Sequence, residues 1–160
     1  VEYSLREATG AANLTDYQSS IRCSVTAHRA YRAITQEMSA WWTPMSNRFS
    51  NIGDRAKTDF GGPSYWVFEA VTLNSPHVIE LLCCESNMVS DSLADPEEWL
   101  GTILKFEITE QDEVCTVALT HIGLTPEMAC YEICKTGWDH YIAGSLKQHL
   151  DGLGGRPNSY

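Results

Sequence analysis

The stretch TPEMACYEICKTGWDHYIAGSLKQHLDGLGG, residues 125–155, decides how the rest of the chain is read. Thr125 suits an N-cap, Pro126 the first helical position, and Glu127 the positive end of a helix dipole. Gly152, Gly154 and Gly155 supply stop signals. Between them the spacing predicts one continuous helix over 125–150, about 37 Å long at 1.5 Å per residue. At 100° per residue, Tyr131, Cys134, Trp138, Tyr141, Ile142, Ser145 and His149 share one face. Glu132, Lys135, Asp139, His140 and Lys147 share the other. The inner face is wide and aromatic. Gly137 and Gly144 lie on one flank, and each costs about 1 kcal/mol against Ala, so a bend or a close backbone approach is expected there. A helix this long needs a large apolar partner surface.

The chain upstream supplies one. Segment 18–26 alternates as a strand, with Ile21, Cys23 and Val25 on one side. The period changes at Ala27, and 27–42 reads as helix up to Thr43-Pro44. Strands are expected at 54–60, 65–73, 78–84, 99–109 and 114–122, divided by Gly61-Gly62-Pro63, Asn74-Ser75-Pro76 and Gln111-Asp112. Residues 87–98, with Asp95, Glu97 and Glu98, read as a polar, mobile, solvated loop. Short connections make the strands an antiparallel meander. The fold class is therefore α+β, an antiparallel sheet with helices on one face; if the sheet curves around the long C-terminal helix, the space between them becomes a cavity. Residues 1–16 read as a flexible lead-in, 17–155 as a single domain, and 156–160 as a tail.

Composition narrows the functional classes. The 160 residues carry a net charge of −10, which disfavours nucleic acid and anionic membranes as partners. No apolar run is long enough for a membrane span. The N-terminus shows no basic start followed by an apolar stretch, so a cytoplasmic location is expected. The six cysteines, Cys23, Cys83, Cys84, Cys115, Cys130 and Cys134, form no Cys-x-x-Cys pair and fall within apolar patterns. Reduced, buried thiols are expected. Cys130 and Cys134 stand one helical turn apart, a chelating interval, but no His or carboxylate cluster completes a site, so no metal and no cofactor is expected.

An ordered set of short motifs carries a resemblance. After the first strand come Ala27-His28-Arg29-Ala30-Tyr31-Arg32-Ala33-Ile34-Thr35 and Trp41-Trp42. Then follow Ser75-Pro76-His77, Glu98-Trp99-Leu100-Gly101-Thr102 and Thr120-His121-Ile122-Gly123-Leu124. Gly137-Trp138 precedes Ser145-Leu146-Lys147. Together, across residues 16–155, these resemble the SRPBCC superfamily of START-like and birch-pollen-allergen-like proteins. The match is closest to the branch named for the activator of the heat-shock-protein ATPase. His28 departs from the Pro that many members carry at that point. The resemblance implies a helix-grip fold with an apolar pocket. It does not imply one activity, since members bind lipids, hormones, polyketides or chaperones.

The expected function is binding of a small apolar or aromatic molecule between sheet and helix. Trp41, Trp66, Phe68, Phe106, Leu119, Trp138 and Ile142 are the candidate lining, and His121, Tyr141 and Ser145 the candidate orienting groups. Two alternatives stand beside it. One is a cyclase- or hydrolase-like enzyme using His121 as general base with Tyr141. The other is a co-chaperone or interaction module with a protein partner. No Gly-x-Ser-x-Gly elbow, phosphate loop or His-Glu-x-x-His helix is present, so the non-enzymatic reading leads.

Overall fold

A computed structural model describes residues 15–159. The expected lead-in lies outside these residues except for its last two. Of those, Asp16 is buried, and its carboxylate accepts the Gly123 N–H at 3.0 Å.

Six strands form one sheet: β1 (Tyr17–Cys23), β2 (Arg55–Lys57), β3 (Tyr65–Asn74), β4 (Val78–Asn87), β5 (Ile103–Gln111) and β6 (Val114–Ile122). Their spatial order is β1-β6-β5-β4-β3-β2, and every pairing is antiparallel. The meander β2 to β6 follows from the short turns, and β1 closes onto β6 in the register Ile21↔Val117. Alternation sets the inner face. Ile79, Leu81 and Cys83 of β4, Leu104 and Phe106 of β5, and Cys115, Val117 and Leu119 of β6 are all sealed from solvent. Two register shifts between β3 and β4, at Val67/Phe68 and Ala70/Thr72, mark the bulges expected where a sheet bends. The architecture is α+β, a curved antiparallel sheet with a C-terminal helix.

The first helical segment is divided. α1 (Ala27–Gln36) starts where the Thr26 hydroxyl accepts the Arg29 N–H, and α2 (Met38–Trp41) follows a break at Glu37. Glu37 takes φ −128°, and its carboxylate collects Arg29, Arg32 and His149. Hydrogen bonding and charge from these partners hold that carboxyl below its ordinary range against the opposing effect of burial.

The C-terminal helix differs from expectation at its start and in its winding. It begins at Tyr131, not Thr125, as α3 (Tyr131–Trp138), continues as a π-helical segment Asp139–Leu146, and ends as α4 (Lys147–Leu150). Residues 125–131 instead form turns, with Met128 N–H bonded to Thr125 and Tyr131 N–H to Met128. The cap comes from elsewhere in the sequence. The Glu98 carboxylate accepts Ala129 N–H at 3.1 Å and Cys130 N–H at 2.9 Å, the free donors immediately before the first helical turn. The acidic loop is thus not wholly solvated. The wider i→i+5 winding also shifts the inner face. Trp138, Ile142, Ser145, Leu146 and Leu150 are buried, while His149 is only partly so and pairs with Glu37 at 2.7 Å.

The residues after the helix pack against the domain. Arg156 N–H bonds Ser145 and Asn158 N–H bonds the Trp42 carbonyl. A Cβ at Gly155 would collide with the carbonyl of Ala40. The expected boundary between domain and tail is therefore bridged by main-chain contacts. Midway along the helix, Tyr17 donates to Asp139 at 2.6 Å, tying β1 to the first turn of the π-helical segment.

Candidate functional site

Four indoles meet where the open end of the sheet faces the start of the C-terminal helix. Trp42 follows α2, Trp66 lies on β3, Trp99 sits in the turn before β5, and Trp138 ends α3. Their rings close a circuit, with centroids at 6.5 Å for Trp42–Trp66, 4.1 Å for Trp66–Trp99, 5.9 Å for Trp99–Trp138 and 4.9 Å for Trp42–Trp138. Phe68 leans on Trp42 and Trp99, and Phe60 meets Trp66 edge-on. Such contacts add roughly 0.5–1.5 kcal/mol per pair beyond area burial.

Trp99 was expected to open a strand, but β5 starts only at Ile103. Gly101 takes φ +83°, which an L-residue rarely adopts, and the resulting turn folds Trp99 inward to 4% exposure.

Outside this circuit lies a cleft of about 380 Å³. Trp42, Trp66, Trp99 and Trp138 form its floor; Phe60, Met88, Val89, Ile133, Cys134, Gly137 and Tyr141 form its sides. Its rim loops are clamped to one another. The Ser64 hydroxyl accepts Val89 N–H and donates to Val89 C=O, and the Asn87 amide donates to Pro63 C=O at 2.8 Å. No residue with a formal charge lines it. Two polar groups in its walls have no protein partner among the described residues. One is the buried Trp66 Nε1–H, and the other is the hydroxyl of half-buried Tyr141, for which no hydrogen bond is formed. Burial pushes the Tyr141 phenol up. Other recesses of similar volume, about 410 and 390 Å³, are lined by more polar and charged residues, such as Gln36, Asn47 and Arg48 or Arg22, Glu110 and Asp112.

The ten residues expected at the site divide accordingly. Trp66, Trp138 and Tyr141 line the cleft. Trp41 does not; it packs edge-on against Phe106 at 6.5 Å and its Nε1–H bonds the Ala33 carbonyl, while its neighbour Trp42 takes the cleft position. Phe68, Phe106, Leu119 and Ile142 are core, with at most 1% exposure, because they lie on inward positions that the helix itself covers. Ser145 is an internal lock, donating to the Trp41 carbonyl and accepting the Arg156 N–H, both at 2.6 Å.

His121 is the main correction. Trp138 Nε1–H donates to His121 Nδ1 at 3.0 Å, which places the histidine proton on Nε2. That proton goes to Thr102 Oγ1 at 2.9 Å, and the Thr102 hydroxyl donates to the Trp99 carbonyl at 2.6 Å. Both ring nitrogens are occupied, the residue is wholly buried, and desolvation pushes its pKa down to about 3. A histidine so enclosed neither accepts a substrate proton nor reaches a ligand, so it orients Trp138 and Trp99 instead. Among the described residues no group of three or more His, Cys, Asp or Glu could hold a metal ion.

Sequence reasoning missed Trp42, Phe60, Met88, Val89, Trp99, Ile133, Cys134 and Gly137 as lining. Gly137 had a signal. A glycine within a helix was read as a bend or close approach, yet a Cβ there meets nothing within 4 Å. It leaves room in the cleft wall. Gly137→Ala is accordingly expected to raise stability by up to about 1 kcal/mol, read as a higher urea midpoint with unchanged slope.

The architecture is a helix-grip fold, a curved antiparallel sheet with a C-terminal helix. Neither a protein-family model nor a curated protein sequence matches the chain. Solved structures do. The solution structure of the Aha1 dimer from Colwellia psychrerythraea is similar at TM-score 0.69 and 20% identity, covering 88% of this chain and 98% of that one. DynU16, from the dynemicin biosynthetic locus, aligns at TM-score 0.66 and 14% identity over 92% of this chain and 51% of its own. CalU16 from Micromonospora echinospora aligns at 0.59 and 12%, over 84% and 73%. At these identities the likeness defines the fold.

Proposed function

We propose that the protein binds a neutral, flat, largely apolar small molecule in the tryptophan-floored cleft. One observation carries this reading: a cleft of about 380 Å³ whose lining is largely aromatic and aliphatic, with Ser64 and Ser90 at its edge, contains no formal charge among the described residues and includes an unpartnered indole N–H. The neighbours give supporting context, because DynU16 belongs to a biosynthetic locus for a small molecule. The enzymatic alternative built on His121 and Tyr141 has no accessible base at His121. The interaction-module alternative rests on Val89 and Ile133, half exposed at the cleft mouth, and on the likeness to Aha1.

The test is a titration with N-phenyl-1-naphthylamine, a neutral aromatic probe. Saturable one-to-one binding with quenched tryptophan emission is expected, along with loss of at least about tenfold in affinity in Gly137→Phe, whose ring would occupy the cleft without touching the core. Non-saturable binding, or unchanged affinity in that variant, removes the reading.

A reducing, cytoplasmic setting belongs to the same proposal. All six cysteines are free, and all but Cys84 are buried. Thiol counting under denaturing conditions without reductant should return six thiols. Among the described residues no helix is long and apolar enough to cross a membrane.

A further inference from the structure

Of the six cysteines, Cys134 alone lines the cleft. Its sulfur accepts a hydrogen bond: Trp99 Nε1–H points at Cys134 Sγ from 3.3 Å. Cys134 also stands in the first turn of the C-terminal helix, where the dipole favours negative charge. Across the floor, the Trp66 Nε1–H is buried without an acceptor, in a residue only 6% exposed. One wall thus offers a nucleophile, and another a donor with nothing to bond.

We infer that Cys134 is a covalent capture site for electrophilic carbonyl compounds, with the ligand's conjugated alkene at the Cys134 sulfur and its carbonyl oxygen at the Trp66 N–H. The inference rests on the cleft being the ligand site. The sulfur lone pair forms a C–S bond to the alkene carbon β to the carbonyl. The alkene π pair moves into an enolate, which the indole N–H stabilises. The α-carbon then takes a proton from water, replacing the one the thiol released. The sum adds S–H across C=C; no oxidant or reductant takes part, and elimination reverses it. The Trp99 N–H lowers the pKa of Cys134, while burial and the nearby Glu98 oppose that effect. Burial pushes the Cys130 thiol up. Cys84, the most accessible of the other thiols, bonds the Val67 carbonyl and is pushed up by burial.

The experiment uses chalcone, a flat aromatic enone, and dihydrochalcone, which lacks the alkene. Intact mass spectrometry with peptide mapping reads the adduct, and tryptophan quenching reads binding. The expected result is one chalcone per chain on Cys134, formed at least about tenfold faster than on free glutathione and reversed by excess thiol. Dihydrochalcone should bind without an adduct. Cys134→Ser, which keeps an acceptor for Trp99, should fold with an unchanged urea slope and form no adduct with chalcone. Binding of both compounds without an adduct, or labelling of Cys84 ahead of Cys134, overturns the inference and leaves the cleft as a ligand site. Binding of neither overturns both.

Discussion

Trp138→Ala is expected to cost at least about 5 kcal/mol, comparable with the whole stability of a small domain, and to leave a chain without a cooperative unfolding transition. Removing a buried Trp alone costs about 3–5 kcal/mol. Trp138 is 2% exposed, and its ring is held against Trp42 and Trp99. Its loss would open a void at the point where helix, sheet and the 99–102 turn converge. The deletion also strands His121 Nδ1, a buried acceptor with no other partner among the described residues, at a further cost of about 1–3 kcal/mol.

Trp138→Phe separates the two effects. Phenylalanine keeps most of the volume, so on size alone the change is mild. The indole N–H is gone, however, and His121 is left unsatisfied, so a loss of about 1–3 kcal/mol is expected. Combining Trp138→Phe with His121→Leu should cost less than the sum of the single changes, because no acceptor is then orphaned. Urea denaturation with a shared slope measures all three. A Trp138→Ala protein that unfolds cooperatively with a loss under about 2 kcal/mol would show the tryptophan circuit to be peripheral to the core.

The sheet was legible because its strands keep period two: the alternation of Cys115, Val117 and Leu119 locates β6 at Val114–Ile122 as expected. The late start of the C-terminal helix was not legible. Thr125-Pro126-Glu127 carries the local signal, but the donors of Ala129 and Cys130 are met by Glu98, some thirty residues upstream. The π-helical winding was equally hidden, and it exchanged Leu150 for His149 on the inner face. At the site, pattern separates inward from outward residues but not depth along the inward direction. Phe106, Leu119 and Ile142 face inward beneath the middle of the helix, where the space is filled. Trp66, Trp138 and Tyr141 face inward near its start, where it is not. Trp41 and Trp42 are neighbours at the end of one short helix, and only its termination determines which reaches the cleft. Trp99 reaches it through a turn that hinges on the positive φ of Gly101.

Between pH 7 and pH 4.5 the protein is expected to lose about 3 kcal/mol of stability through His121 alone. The group's ordinary pKa is 6.5, and burial lowers it in the folded protein to about 3. Among the described residues its side-chain hydrogen-bond and ring partners are Thr102, Trp99 and Trp138, and none is a carboxylate. Below pH 6.5 the unfolded chain takes up a proton that the folded chain refuses, so the stability is complete above pH 6.5. It falls by about 1.4 kcal/mol per unit as the pH drops toward 3. Glu37 and Asp139, both held below their ordinary carboxylate values, also lose stabilisation in acid, but only from near pH 4.5 and 3.8 downward. The interval from pH 6.5 to 5 therefore isolates the histidine from these acids. His121→Gln, neutral throughout and able both to donate and to accept, should flatten the stability profile there by about one proton's worth of slope, even though its imperfect geometry lowers stability at pH 7. Urea midpoints at half-unit intervals of pH give the slope, and the imidazole C2–H resonance of His121 should hold its position from pH 8 to 5. A resonance that titrates near 6.5, or a variant whose slope matches the parent's, would mean that the histidine reaches solvent, and the Trp138–His121–Thr102–Trp99 chain would lose its role as the support of the cleft floor.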